Sequence, residues 1–104
     1  METPNLTYIK QLAQGDTNFE EQLLQVIRNE FPGEVIKYHE HMDGGELQKA
    51  AEMVHKIKHK ISILGLEKSY EFTIQYEKEL LNGDKSNHED FFKILTTMSD
   101  FLTK

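Results

Sequence analysis

The sequence contains no cysteine and no tryptophan, only two prolines, and a single arginine, Arg28. Without cysteine there are no disulfides, no thiolate catalysis and no Cys-rich zinc site, so stability has to come from packing. Uncharged stretches are only a few residues long, far short of the roughly 20 apolar residues that a membrane span requires. Residues 1–10 carry no signal-peptide pattern, so a cytoplasmic protein without a membrane segment is expected. Arginine scarcity and a formal net charge of −6 argue against general nucleic-acid binding, because phosphate backbones are held by an excess of positive side chains.

What is present describes an ordinary folded domain. The chain has 104 residues, 38% hydrophobic and 29% charged, which matches neither a disordered polyampholyte nor a membrane protein, and its length and spacing predict one domain over residues 1–104. Lys56, Lys58, Lys60 and Lys68 crowd one region of this acidic chain. A local positive field is therefore expected in its middle.

Apolar residues recur at helical spacing throughout, and no segment alternates as a strand does. Asn5, ahead of Leu6, Ile9 and Leu12, suggests a short capped helix ending near Gly15. Asp16 can cap the next, whose stripe runs through Phe19, Leu23, Val26, Ile27, Phe31, Val35, Tyr38 and Met42. Pro32 interrupts this stripe and predicts a kink or a short break. Beyond Gly44 and Gly45, Leu47, Ala50, Val54, Ile57, Ile61 and Leu64 mark a third helix that Gly65 stops. Tyr70, Thr73, Tyr76 and Leu80 mark a fourth, ended by Asn82, Gly83 and Asp84. Ser86 with Glu89 reads as a capping box for a fifth, with Phe91, Ile94, Leu95, Met98, Phe101 and Leu102 on its inner side. Four long helices with short connections predict an all-α, antiparallel up-and-down four-helix bundle with a short extra N-terminal helix over one end.

The chemically informative segment lies on the third helix. His55 falls beside the stripe of Val54, Ile57 and Ile61, so it should be partly exposed on a rigidly packed scaffold. A neutral imidazole nitrogen is a competent nucleophile toward phosphorus, and Lys58, one turn away, could neutralise arriving phosphoryl oxygens.

His55-Lys56-Ile57-Lys58, then Leu64-Gly65-Leu66, then Tyr76-Glu77 resemble the signature of histidine-containing phosphotransfer domains: an active His, a Lys three residues on, a Leu-Gly pair about ten on, and a Leu-Glu pair on the next helix. The resemblance extends to the helix order and to the Gly15-Asp16 junction. It implies His55 as phosphoacceptor, Lys58 as charge partner, and Glu52, Lys56, His59 and Ser62 as a docking face for receiver domains of response regulators. It further implies a monomeric phosphocarrier in a two-component relay fed by a hybrid sensor histidine kinase. Such a carrier has no ATP site and no cofactor of its own, the Mg²⁺ being held by the receiver. Glu77 falls near the inward register between Thr73 and Leu80, where a carboxylate is unusual unless paired. There it could accept a hydrogen bond from His55 Nδ1 and leave Nε2 to react.

One position departs from the pattern: His59 stands where the family usually has Gly or another small residue. Glu52, His55 and His59, each a turn apart, also raise the alternative of a metal-binding bundle, with His39, His41 and His88 elsewhere in sequence. A non-catalytic helical scaffold is the other alternative. No Gly-rich phosphate loop, catalytic Ser-His-Asp order or acidic Mg²⁺ cluster is legible.

Overall fold

The structure is a computed structural model that describes residues 2–104. Among the described residues it is all-helical, with α1 (Thr7–Ala13), α2 (Thr17–Asp43), α3 (Leu47–Ile63), α4 (Glu67–Leu81) and α5 (His88–Leu102). They share a core of buried side chains drawn from all five, in a molecule measuring 44 × 23 × 20 Å. Helix α3 packs extensively against both α2 and α4, whereas α5 and α1 make sparser contact. None of the described helices is long and apolar enough to cross a membrane.

The capping chemistry follows the sequence in part. Asp16 accepts from the Phe19 amide at 3.1 Å and starts α2. Asn5 lies one residue ahead of the α1 N-cap, yet its side chain still accepts from the Thr7 amide at 3.1 Å. The expected capping box at Ser86 does not form. The Ser86 amide is instead bonded to the Asp84 carboxylate, α5 starts at His88, and Asn87 donates its side-chain amide to Glu79 at 2.8 Å.

Pro32 does not break α2, which runs as one helix of 27 residues. The missing amide costs one backbone bond, while Leu24, Ile27, Phe31 and Tyr38 bury a continuous face on both sides of it. That face is rotated slightly from the expected stripe: Phe19 and Val26 are exposed, and Leu24 is buried.

The α3–α4 turn sets the geometry of everything that follows. Gly65 adopts φ +77°, the Gly65 amide bonds to Ser62 O at 3.0 Å, and the Leu66 amide bonds to Ile61 O at 3.2 Å. This is the Schellman closure that a residue free of Cβ strain supports. Asn5 is pressed against the same glycine, with its amide on Leu64 O at 2.9 Å. Glu2 then accepts from the Lys68 and Ser69 amides at 2.8 and 2.9 Å, so its carboxylate satisfies the first turn of α4.

The four lysines do not pool their charge. Lys60 is buried on the α2 side of α3, with Nζ 3.0 Å from both Glu30 and Glu34. Burial pulls the Lys60 ammonium down, but the two glutamates outweigh it and hold its pKa above the ordinary value. The stabilisation from this shift is therefore complete below its ordinary 10.5 and is lost only as pH climbs through the raised folded value. Glu34 Oε1 is buried with no hydrogen-bond partner, so Glu34 depends on Lys60 for compensation. Lys60→Met is expected to destabilise the fold by about 2 kcal/mol in chemical denaturation, less than the roughly 3–5 kcal/mol of a fully buried pair because Glu30 is exposed. Adding Glu34→Gln should recover part of that loss, since the stranded charge goes with it.

Candidate functional site

The site is built where α3 and α4 face one another beyond the Gly65 turn. Ala50, Val54, Ile57 and Ile61 are fully buried on α3 and fix its rotation, as Thr73, Tyr76 and Leu80 do for α4. His55 follows Val54 and Glu77 follows Tyr76, so each candidate side chain is one step from a core anchor. Side chains so placed are held by the packing of their neighbours while remaining at the surface.

His55 has a half-exposed side chain, at 53%, and its Nδ1 lies 3.2 and 3.3 Å from the two Glu77 carboxylate oxygens. Glu77 is largely covered at 19%. Lys58, only 14% exposed, places Nζ 3.0 Å from Glu77 Oε1. The resting role of Lys58 is thus to hold the carboxylate that faces the imidazole. Facing a carboxylate, Nδ1 is the nitrogen placed to donate. The contact expected from the inward register of Glu77 is present.

His59 stands directly beside the Nε2 edge of His55. Its Nε2 is 3.4 Å from His55 Nε2, and the two rings are perpendicular with centroids 4.9 Å apart. Glu52, Lys56, His59 and Ser62 are all exposed on α3, as a docking face requires. A groove of about 480 Å³ runs alongside, bordered by Gln48, Glu52, Met53, Lys56 and Leu81 as well as His55 and Glu77. The three-ligand set of Glu52, His55 and His59 does not assemble: among the described residues no group of three or more His, Asp or Glu side chains is placed to hold a metal ion. His41 is committed to Glu46 at 3.1 Å, and His88 accepts or donates at 2.8 Å to the Tyr38 hydroxyl, both far in sequence from His55.

The expected positive field around His55 is smaller than the composition suggests. Lys58 is neutralised by Glu77 and Lys60 by Glu30 and Glu34 on another face, which leaves Lys56 as the exposed cation next to the ring.

Sequence reasoning did not find the polar chain inside the core. The Tyr38 hydroxyl lies 2.5 Å from that of Tyr76 and 2.8 Å from His88 Nδ1, joining α2, α4 and α5. Burial pushes both tyrosine hydroxyls above their ordinary range, so they stay protonated and act as donors. The signal for it in the sequence is a tyrosine at a core position, because a buried hydroxyl needs a partner. Compared with known proteins, the chain matches no family model, no curated protein and no solved structure.

Proposed function

We propose that this protein is a phosphocarrier of the histidine phosphotransfer class: His55 accepts a phosphoryl group from the aspartyl phosphate of a receiver domain and passes it to another receiver. The observation that carries the reading is the His55–Glu77–Lys58 arrangement. An exposed imidazole whose Nδ1 proton is held by a braced carboxylate offers its Nε2 lone pair to an incoming phosphorus.

In the transfer, His55 Nε2 forms a bond to phosphorus as the bond from phosphorus to the aspartyl oxygen breaks, and the electron pair leaves with the aspartate carboxylate. The Nδ1 proton stays in place, and the positive charge that develops on the ring faces Glu77. Because His59 sits at the attacking nitrogen, its exposed ring has to turn aside before a receiver can approach. Little covalent machinery is required of the carrier, since phosphoryl transfer rests mainly on position and charge, and the receiver supplies Mg²⁺. The carrier thus acts as substrate and product of its partners, with no ATP chemistry of its own.

The same reading assigns the finer architecture. The four longer helices form an antiparallel up-and-down bundle with α1 against one end, and the exposed flank of α3 at Glu52, Lys56, His59 and Ser62 is the receiver-docking face. A cytoplasmic setting, a monomeric carrier and a hybrid sensor kinase upstream belong to this proposal.

The test is to incubate the protein with a receiver domain charged by a small phosphodonor and to look for acid-labile, alkali-stable label on the bundle. A protein that stays unlabelled while folded is a scaffold and not a carrier. Lys58→Ala and Glu77→Gln are expected to slow labelling about tenfold each, the equivalent of one weakened charge contact in the transition state. Single-turnover rates measured with one receiver preparation check this; rates equal to wild type would remove both residues from the site.

A further inference from the structure

We propose that His55 and His59 together form a zinc-binding site, and that Zn²⁺ bound there occupies the same nitrogen that the relay needs. Binding is independent of the phosphocarrier reading; only the blocking consequence rests on it.

The geometry is that of a chelate. Two imidazole nitrogens on a tetrahedral zinc, each about 2.0–2.1 Å from the metal, stand about 3.3 Å apart with their ring centres about 5 Å apart. His55 Nε2 and His59 Nε2 are 3.4 Å apart, with ring centroids at 4.9 Å. The same separation is long for a direct hydrogen bond, since N–H donors usually sit about 2.9–3.0 Å from their acceptors. In the metal-free protein the pair makes this long hydrogen bond, and zinc takes the place of its proton.

A second feature points the same way. Histidine ligands of zinc commonly donate their other ring N–H to a carboxylate, which fixes the tautomer and makes the ligating nitrogen more basic. His55 Nδ1 faces the Glu77 carboxylate at 3.2 Å, and Lys58 holds that carboxylate at 3.0 Å. Loss of the proton that the two Nε2 atoms share leaves both free to bind one metal. With only two protein nitrogens, water completes the coordination, so the site is open and reversible. Its softness also separates it from the receiver's metal: Mg²⁺ takes oxygen ligands and does not compete for paired imidazoles.

Once Zn²⁺ is bound, the His55 Nε2 lone pair is in the metal–nitrogen bond and is unavailable to phosphorus. Zinc and the phosphoryl group exclude each other.

The experiment titrates Zn²⁺ into the full chain and follows the imidazole nitrogens by long-range ¹H–¹⁵N NMR, with affinity taken from competition against a chelating dye. Nε2 of His55 and of His59 should shift together and saturate at one metal per chain, while millimolar Mg²⁺ moves neither. His59→Ala is expected to weaken binding by about tenfold or more, as is Glu77→Gln through the lost carboxylate. The site is refuted if zinc leaves both rings unmoved, binds equally well in His59→Ala, or gathers at His39, His41 or His88. A second arm measures labelling by a charged receiver with and without Zn²⁺, within wild type and within His59→Ala. Zinc should block labelling in the first and not the second, and a chelator should restore it. Equal inhibition of both proteins places the effect on the receiver and overturns the blocking. Wild type that is never labelled, even without zinc, sinks the relay reading while the NMR result on the metal site stands.

Discussion

His55→Gln is expected to bring acid-labile phosphoryl label down to background while the protein remains folded. The two halves of this prediction have separate physical grounds. Glutamine retains a side-chain amide that can donate to Glu77 but has no nitrogen lone pair able to attack phosphorus, so the chemistry is lost and the surface contact is roughly kept. The side chain is 53% exposed and lies off the buried face of α3, so the substitution should shift stability by no more than about 0.5 kcal/mol. Circular dichroism should then report an unchanged helical spectrum and a melting temperature within about 4 °C of wild type. Label that persists at the wild-type level in this variant would show that another residue carries the group, and the site assignment falls with it.

The rotation of α3 was legible because its stripe is unambiguous. Ala50, Val54, Ile57, Ile61 and Leu64 recur at helical spacing and are all fully buried, so the neighbouring position of His55 followed without reference to any partner. The Glu77 contact was legible for a related reason. His55 and Glu77 lie at similar distances in sequence on either side of Gly65, and a tight glycine closure returns α4 along α3, which opposes them. Local pattern and local turn sufficed.

Where partners come from remote helices, the pattern runs out. In sequence Lys60 resembles its solvated neighbours, and nothing local says that it turns to α2 and meets Glu30 and Glu34. The positive field inferred from lysine counts shrank for that reason. The stripe on α2 was blurred because this helix meets α1, α3 and α5 along its length, so no single apolar face describes it. Ser86 failed as a cap through competition: Asp84 takes its amide first, and such short polar side chains bond to nearby backbone in more than one way. His59 was visible in the sequence as a departure from a small residue, but its consequence depends on a ring separation that spacing does not give.

Tyr38→Ala is the substitution expected to cost the fold most. Tyr38 is fully buried, and its ring lies 5.2 Å from that of Phe91, edge on, and 5.7 Å from that of His88. Its hydroxyl meets Tyr76 from α4 and His88 from α5. Helix α5 lies farther from its neighbours than α3 does, and Tyr38 reaches it through both Phe91 and His88. Removing an aromatic ring from such a position costs about 3–5 kcal/mol, against a total of about 5–15 kcal/mol for a typical domain. The melting temperature should fall by about 15 °C or more. Tyr38→Phe separates the two contributions: it keeps the ring, strands the Tyr76 hydroxyl and His88 Nδ1, and should cost only about 1–2 kcal/mol. Thermal melts of the two variants read this difference directly. If Phe proves as damaging as Ala, the hydroxyl chain and not ring packing fixes α5. If Ala is as mild as Phe, α5 is anchored by Phe91, Leu95 and Met98 without help from α2.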